Sequence, residues 1–160
     1  MTLFSLKEYI SYNWKSQTRH GVHSPFVYDL IDKVLLNENR DNGDEAMDKI
    51  PGWITEKHKA LIAPIISLYI KDKNNFPETP AFAFINAEEQ NRTLQDLNLK
   101  SSSILFVTNI HSDKLSVLNW ARLCNDSSTN FSVDLYEIGI LFFRKEFKEK
   151  QHFVLKYTPL

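Results

Sequence analysis

His20 and His23 stand three residues apart in Arg19-His-Gly-Val-His23, a spacing from which two imidazoles can reach one metal ion. A zinc site needs further ligands and this stretch supplies none, so the plainer alternative is that both histidines cap or bridge a turn between helices. Asn86 closes one short apolar run, Ala81 to Ile85, while Asn109 and His111 follow a second, Ile104 to Val107. Polar groups just beyond strand ends are where α/β proteins place chemistry, so Asn86, Asn109 and His111 are candidates for holding a small ligand or moving a proton. The same residue types also close turns. Glu88 and Glu89 suit either a general acid with its neighbour or charges that favour the start of a following helix. The run Arg144 to Lys150 alternates in sign and reads as a solvated hairpin turn or a docking patch. No Gly-x-Ser-x-Gly elbow or Cys/His nucleophile pattern occurs, and these residues do not add up to an active site.

Composition narrows the classes that remain. Nineteen basic against twenty acidic residues leave a formal charge of −1, without the broad positive field that draws nucleic acid or anionic lipid. Neither nucleic acid nor a membrane is therefore expected as a partner. The first fifteen residues are broken by Lys7, Glu8 and Lys15 and lack the apolar region of a signal peptide. The longest apolar run, Ala60 to Ile70, falls short of the roughly 20 residues needed to cross a bilayer. A single cysteine, Cys124, can form no internal disulfide, which fits a reducing, cytoplasmic setting. At 160 residues with 42% hydrophobic content, the chain suits one domain: residues 1–52 as a helical N-terminal segment and linker, residues 53–160 as an α/β core.

The elements that must position these residues follow from periodicity. Ser5 is placed to cap a short helix carrying Leu6, Tyr9, Ile10 and Trp14. Ser24 and Pro25 open a second helix with an apolar stripe from Phe26 to Leu35. Residues 37–52 read as a polar linker with at most one helical turn. Thr55 caps a third helix in which Pro64 forces a kink or a late start. Beyond it the period changes. Ala81 to Ile85 and Ile104 to Val107 read as buried parallel strands, each followed by a helix: Glu88 to Leu99, then one with Leu115, Leu118 and Ala121 inward, widened by Val117 and Trp120. Val133, Leu135 and the run Ile138 to Phe143 give two more strands. Phe153, Leu155 and Tyr157 alternate as an edge strand does, so the chain is expected to end in antiparallel strands.

Two stretches, Arg19-His-Gly-Val-His-Ser-Pro-Phe-Val-Tyr-Asp-Leu30 and Ile138-Gly-Ile-Leu-Phe-Phe-Arg-Lys145 with Lys150-Gln-His-Phe153, resemble the two ends of bacterial class I S-adenosylmethionine-dependent methyltransferases of the O-methyltransferase type. Between them, Phe84 to Gln90 and Ser103 to His111 look like that family's fourth and fifth strands with the turns that follow. The resemblance implies a truncated Rossmann-like methyltransferase sheet of about four or five mixed strands with flanking helices. Family members reach the fourth strand after three others, the first ending in an acidic residue and a Gly-x-Gly turn. Here only Lys71 to Pro80 fills the interval, and the two nearest glycines, Gly43 and Gly52, are nine residues apart. The family's metal-dependent members carry carboxylates where this chain has Asn86, Thr108 and Asn109, and neutral oxygens hold Mg²⁺ poorly. No bound cofactor is therefore expected, and none of the chain's residues is assigned to one.

Three functions remain in play. The first is a non-enzymatic remnant that self-associates or binds a complete methyltransferase relative. The second is an S-adenosylmethionine-dependent O-methyltransferase active only with a complementing chain, and the third a small-ligand module around Asn86, Asn109 and His111. In the resembled strand order the fourth strand adjoins the first, so deletion would leave Ala81 to Ile85 as a bare edge. Bare edges are hazards, so this one is expected to be covered by the N-terminal helices or paired with a second copy in a homodimer.

Overall fold

In a computed structural model, which describes residues 3–18, 21–37, 41–89, 93–146 and 149–157, the chain forms one five-stranded open sheet with helices against both faces. The strands are β1 (Phe82–Asn86), β2 (Ile104–Thr108), β3 (Phe131–Asp134), β4 (Ile138–Phe142) and β5 (Gln151–Val154), in spatial order β1-β2-β4-β3-β5. β1 and β2 are parallel, as the apolar runs implied, although only β2 is buried throughout and Ile85 is the one buried residue of β1, and β4 lies antiparallel to both β2 and β3. The final strand differs from expectation. β5 is an edge strand but runs parallel to β3, because the chain leaving β4 passes across to the far side of β3 before pairing.

Strand periodicity divides the core in two. Ile104, Phe106, Phe131, Val133, Ile140 and Phe142 face α2 (Pro25–Leu30) and α3 (Glu56–Lys71), joining Phe26, Ile62, Ile66 and Tyr69 in the larger cluster. Phe26 is its hub, stacked on Tyr69 and edge-on to Phe131 and Phe142 at 5.0–5.5 Å between ring centres. Each such fully buried ring contributes about 2–3 kcal/mol from apolar burial. Leu105, Val107 and Leu141 face the other way, onto Trp120 and Leu123 of α4 (Lys114–Asn125). A fourth helix, α1 (Leu3–Lys15), lies across the carboxyl ends of β2, β3 and β5. Gln17 bridges to Leu155, and Tyr12 donates a hydrogen bond to the Leu155 carbonyl.

Local chemistry explains most boundaries. α2 begins at Pro25 after Ser24, although the cap is made by the Ser24 carbonyl and not by its hydroxyl, and the helix continues as a π turn, Ile31–Leu35. The Thr55 hydroxyl accepts from the His58 amide and starts α3 at Glu56, so the helix runs through Pro64 without a late start. Ser5 lies inside α1 instead of capping it. The linker holds one short 3₁₀ segment, Asp44–Lys49, entered through Gly43 at φ 72°, where a Cβ would meet the Ala63 backbone at 2.3 Å.

Two helix expectations change. Between β1 and β2 the described residues carry only a 3₁₀ turn, Leu94–Leu97, closed by the reciprocal Thr93–Asp96 capping box and ended by Asn98 in the left-handed region; residues 90–92 of the expected Glu88 to Leu99 helix lie outside the described residues. α4 turns a different face inward: Ser116, Trp120 and Leu123 are buried, while Ala121, Leu115 and Leu118 are exposed. The rotation is fixed by Gly139 on β4, whose missing side chain makes room for the Trp120 ring. Arg144 is no merely solvated turn residue, since its guanidinium lies 5.1 Å from the Phe76 ring centre.

A Cβ at Gly139 would meet Trp120 carbons at 2.5 Å, so Gly139→Ala is expected to lose about 1–3 kcal/mol in urea unfolding, and the same change should cost much less in a Trp120→Leu background. The Tyr69 hydroxyl is buried with no partner among the described residues, so Tyr69→Phe should melt at or above the wild-type temperature.

Candidate functional site

Ser132, Asp134 and His152 gather on the α4 face of the sheet, at the β3–β5 edge. Ser132 and Asp134 are two apart on β3 and so share a face, and Ser132 stands in register with His152 on β5. His111 enters from the turn after β2, Trp120 from α4, and Glu8 from α1. Between α1, α4 and the two strands lies a cavity of about 400 Å³, lined among others by Lys15, Cys124 and Lys150.

Asp134, 4% exposed, is the inner anchor. Its carboxylate accepts from His111 Nε2 at 2.8 Å, from Trp120 Nε1 at 3.3 Å and from the Tyr136 amide at 2.8 Å. The other His111 nitrogen, Nδ1, lies 3.2 Å from Glu8 Oε2, and the ring stacks flat on Tyr136 at 5.3 Å. Burial pushes the His111 imidazole toward its neutral form, but hydrogen bonds and charge from Asp134 and then Glu8 more than offset this, so its pKa is raised. The protonated ring thus serves as a clamp with both N–H groups occupied, which leaves no free nitrogen for a substrate proton.

Next to the clamp, the Ser132 hydroxyl and His152 Nδ1 are 2.7 Å apart. Loss of surrounding water lowers the His152 pKa, with Asp134 acting in the opposite sense. A neutral imidazole beside a hydroxyl can accept its proton. Ser132 is only 1% exposed, however, and this suits binding a ligand at the cavity wall better than attacking one. Burial pushes the Cys124 thiol up to about 12, despite a hydrogen bond from Ser132, so it stays protonated and unreactive.

Asn86 and Asn109 meet, with Asn109 Nδ2 donating to Asn86 Oδ1 at 3.2 Å, and Asn109 adopts φ 60°. Asn86 also accepts from the Glu88 amide and donates to its carboxylate, so Glu88 closes a turn instead of starting a helix. The pair satisfies itself. Thr108 is buried, its hydroxyl turned to the Ile85 carbonyl. This donor set, two carboxamides with one exposed carboxylate, does not fit a divalent cation, and among the described residues no cluster of three ligating side chains occurs. A cleft of about 380 Å³ reaches Asn109 and His111 but not Asn86; Ser5, Thr55, His58 and Glu137 also line it. His58 and Lys57 hold the Glu137 carboxyl down to about 2 there. His23 is exposed, and His20 lies outside the described residues.

Glu8, Trp120, Ser132, Asp134 and His152 were not legible as site residues in the sequence. One signal was available: Ser132 and Asp134 are polar at alternate positions of an otherwise apolar strand. Nothing local links either to Glu8 or His111. No family model matches the chain, and neither does any curated protein or solved structure compared with it.

Because the folded state favours protonated His111, that contribution to stability is complete below the ordinary imidazole pKa of about 6.5 and fades as pH rises through the raised value. Melting temperatures followed from pH 6 upward should therefore fall, and His111→Gln should flatten the curve. Asp134→Asn, which leaves a buried imidazolium with one carboxylate, is expected to cost about 3 kcal/mol in denaturant unfolding at pH 6.

Proposed function

We propose that this chain is a methyltransferase-like remnant of the class I O-methyltransferase type, lacking the S-adenosylmethionine site and the metal carboxylates, and that it works by association through β1. The motifs at both ends of the chain support the kinship, as does a sheet that opens with a parallel pair and then reverses. Loss of catalysis is supported by the sequence, in which ten residues stand where three strands and a glycine turn would be needed, and by the carboxamides in place of carboxylates.

One observation carries the association: β1 is a terminal strand. The amide of Ile104 donates to Ala81 O and that of Ala87 to Thr108 O, so the odd residues of β1 direct their backbone groups at β2. Phe82 and Phe84 direct theirs at the open edge, as does the amide of Asn86, whose carbonyl accepts from the Glu89 amide. The Phe82 and Phe84 side chains are half-buried against the larger cluster, with Phe84 stacked on Phe106, but the strand's outer rim is available for pairing. A second copy, related by a two-fold axis, would pair antiparallel there and double the sheet. A complete relative could dock at the same rim, and the rival reading of a complemented, active methyltransferase needs its missing strands supplied at this place. A small-ligand module is favoured only by the cavity beside His111, Ser132 and His152; a ligand seated there would raise the melting temperature.

Sedimentation at micromolar concentration should give twice the 18.7 kDa chain mass, and Phe82→Pro, which removes an outward amide without touching the β2 ladder, should give the single mass with helix and strand content kept. A wild-type monomer would remove the homodimer. Calorimetry with S-adenosylmethionine or S-adenosylhomocysteine should register no binding, and micromolar affinity in the isolated chain would overturn the remnant reading. Recovery of that affinity on adding a chain that supplies the missing strands and does not bind the cofactor alone would favour the complemented enzyme.

A further inference from the structure

On α1, Leu3, Leu6, Ile10 and Trp14 recur at intervals of three and four and fall within an arc of about 80°. They form a stripe about 16 Å long. All four are exposed, Trp14 at 89% and Leu3 at 72%. The opposite side of the helix is fully engaged: Tyr12 is buried and tied to Leu155, Glu8 holds His111, and Tyr9 packs edge-on against Tyr136 at 5.3 Å. The helix is therefore pinned flat, and among the described residues nothing covers its apolar side. Its charged residues are Lys7, Glu8 and Lys15; both lysines are exposed, while Glu8 points inward to His111.

We propose that α1 lies on an anionic lipid surface, with Leu3, Leu6, Ile10 and Trp14 in the boundary between headgroups and acyl chains and Lys7 beside them on the headgroup phosphates. Area and charge select a bilayer over a second copy of the chain. The stripe exposes on the order of 500 Å², below the roughly 800 Å² that each partner of a stable dimer contributes. A bilayer requires no matching surface, and an interfacial helix needs an apolar side of this breadth with basic charge beside it. Lys7 sits about 20° beyond Trp14 at the edge of the stripe, complementary to anionic headgroups, whereas Lys15 lies on the cavity side of the helix beside Glu8. Whole-chain charge of −1 conceals this, because averaging over 160 residues dilutes one lysine set beside an apolar stripe. No membrane crossing is involved: no helix among the described residues is long and apolar enough to span a bilayer.

The test uses the full chain with Trp53→Phe, so that Trp14 is the exposed indole while Trp120 stays buried. It is mixed with vesicles of phosphatidylcholine alone or with about a third phosphatidylglycerol. Co-sedimentation with the anionic vesicles and a blue shift of Trp14 emission are expected, with at least about tenfold weaker binding to phosphatidylcholine alone. Ile10→Glu and Lys7→Glu should each weaken binding by about tenfold or more at unchanged melting temperature, since both side chains are exposed. Phe82→Pro should bind as wild type, which separates this surface from the β1 edge. Absence of binding to anionic vesicles, or equal binding by Ile10→Glu, overturns the proposal. So does a solution mass that falls on Ile10→Glu, which would assign the stripe to a second copy.

Discussion

A buried carboxylate is costly unless its lone pairs are taken, and the way Asp134 takes its partners ties the structure together. From the end of β3 it holds His111 after β2, Trp120 on α4 and the backbone of the β3–β4 turn, and through His111 it reaches Glu8 on α1. Four segments far apart in sequence converge on one side chain. Its nearest strand neighbour is Gly139, the residue whose bare Cα admits the Trp120 ring, so packing of the second core and satisfaction of the buried charge are one arrangement. A raised imidazole pKa follows from it directly.

The two faces of the sheet answer different needs. On the α2–α3 side, aromatic and branched residues fill the space, with Phe26, Tyr69 and Phe142 in mutual contact and Arg144 covering the cluster's rim through the Phe26 and Phe76 rings. On the α4 side the apolar packing stops short of the β3–β5 edge, and Ser132, Asp134 and His152 face a cavity there. α1 closes that end from above. Because its inner side is spent on tyrosine and glutamate contacts, the apolar residues usually turned inward on such a helix are left outward. Polar anchoring of the helix and exposure of its stripe are thus one cause seen from two sides.

At the opposite end, β1 terminates the sheet, and no strand among the described residues pairs with its outer side. Backbone polarity cannot be removed by substitution, only paired, wetted or blocked, so an edge in the middle of a chain's apolar core is a constraint on what the molecule does.

Much of the architecture was legible in local sequence. The alternation of apolar runs gave all five strands, Ser24-Pro25 and Thr55 marked two helix starts, and the parallel β1–β2 pair followed from two short apolar runs. These depend on periodicity and capping, which act within a few residues. The helix after β1 was misread because Thr93, Asp96 and Asn98 close a 3₁₀ turn in place of a longer helix. The inward face of α4 was misread because Gly139, on another element, decides it. β5's direction depended on which side of β3 the chain crosses to, and no local pattern records that. His111 was found from its place after a strand, yet its meaning changed from a candidate proton carrier to a clamped imidazolium, because Glu8 and Asp134 lie 103 and 23 residues away. The sequence by itself determined which segments are helix and strand and which turns they lack, since those are set by neighbours along the chain. Only the tertiary structure decided which polar groups meet, which apolar face is left in water and which edge stays open, because each of these is fixed by contacts between residues that the sequence keeps far apart.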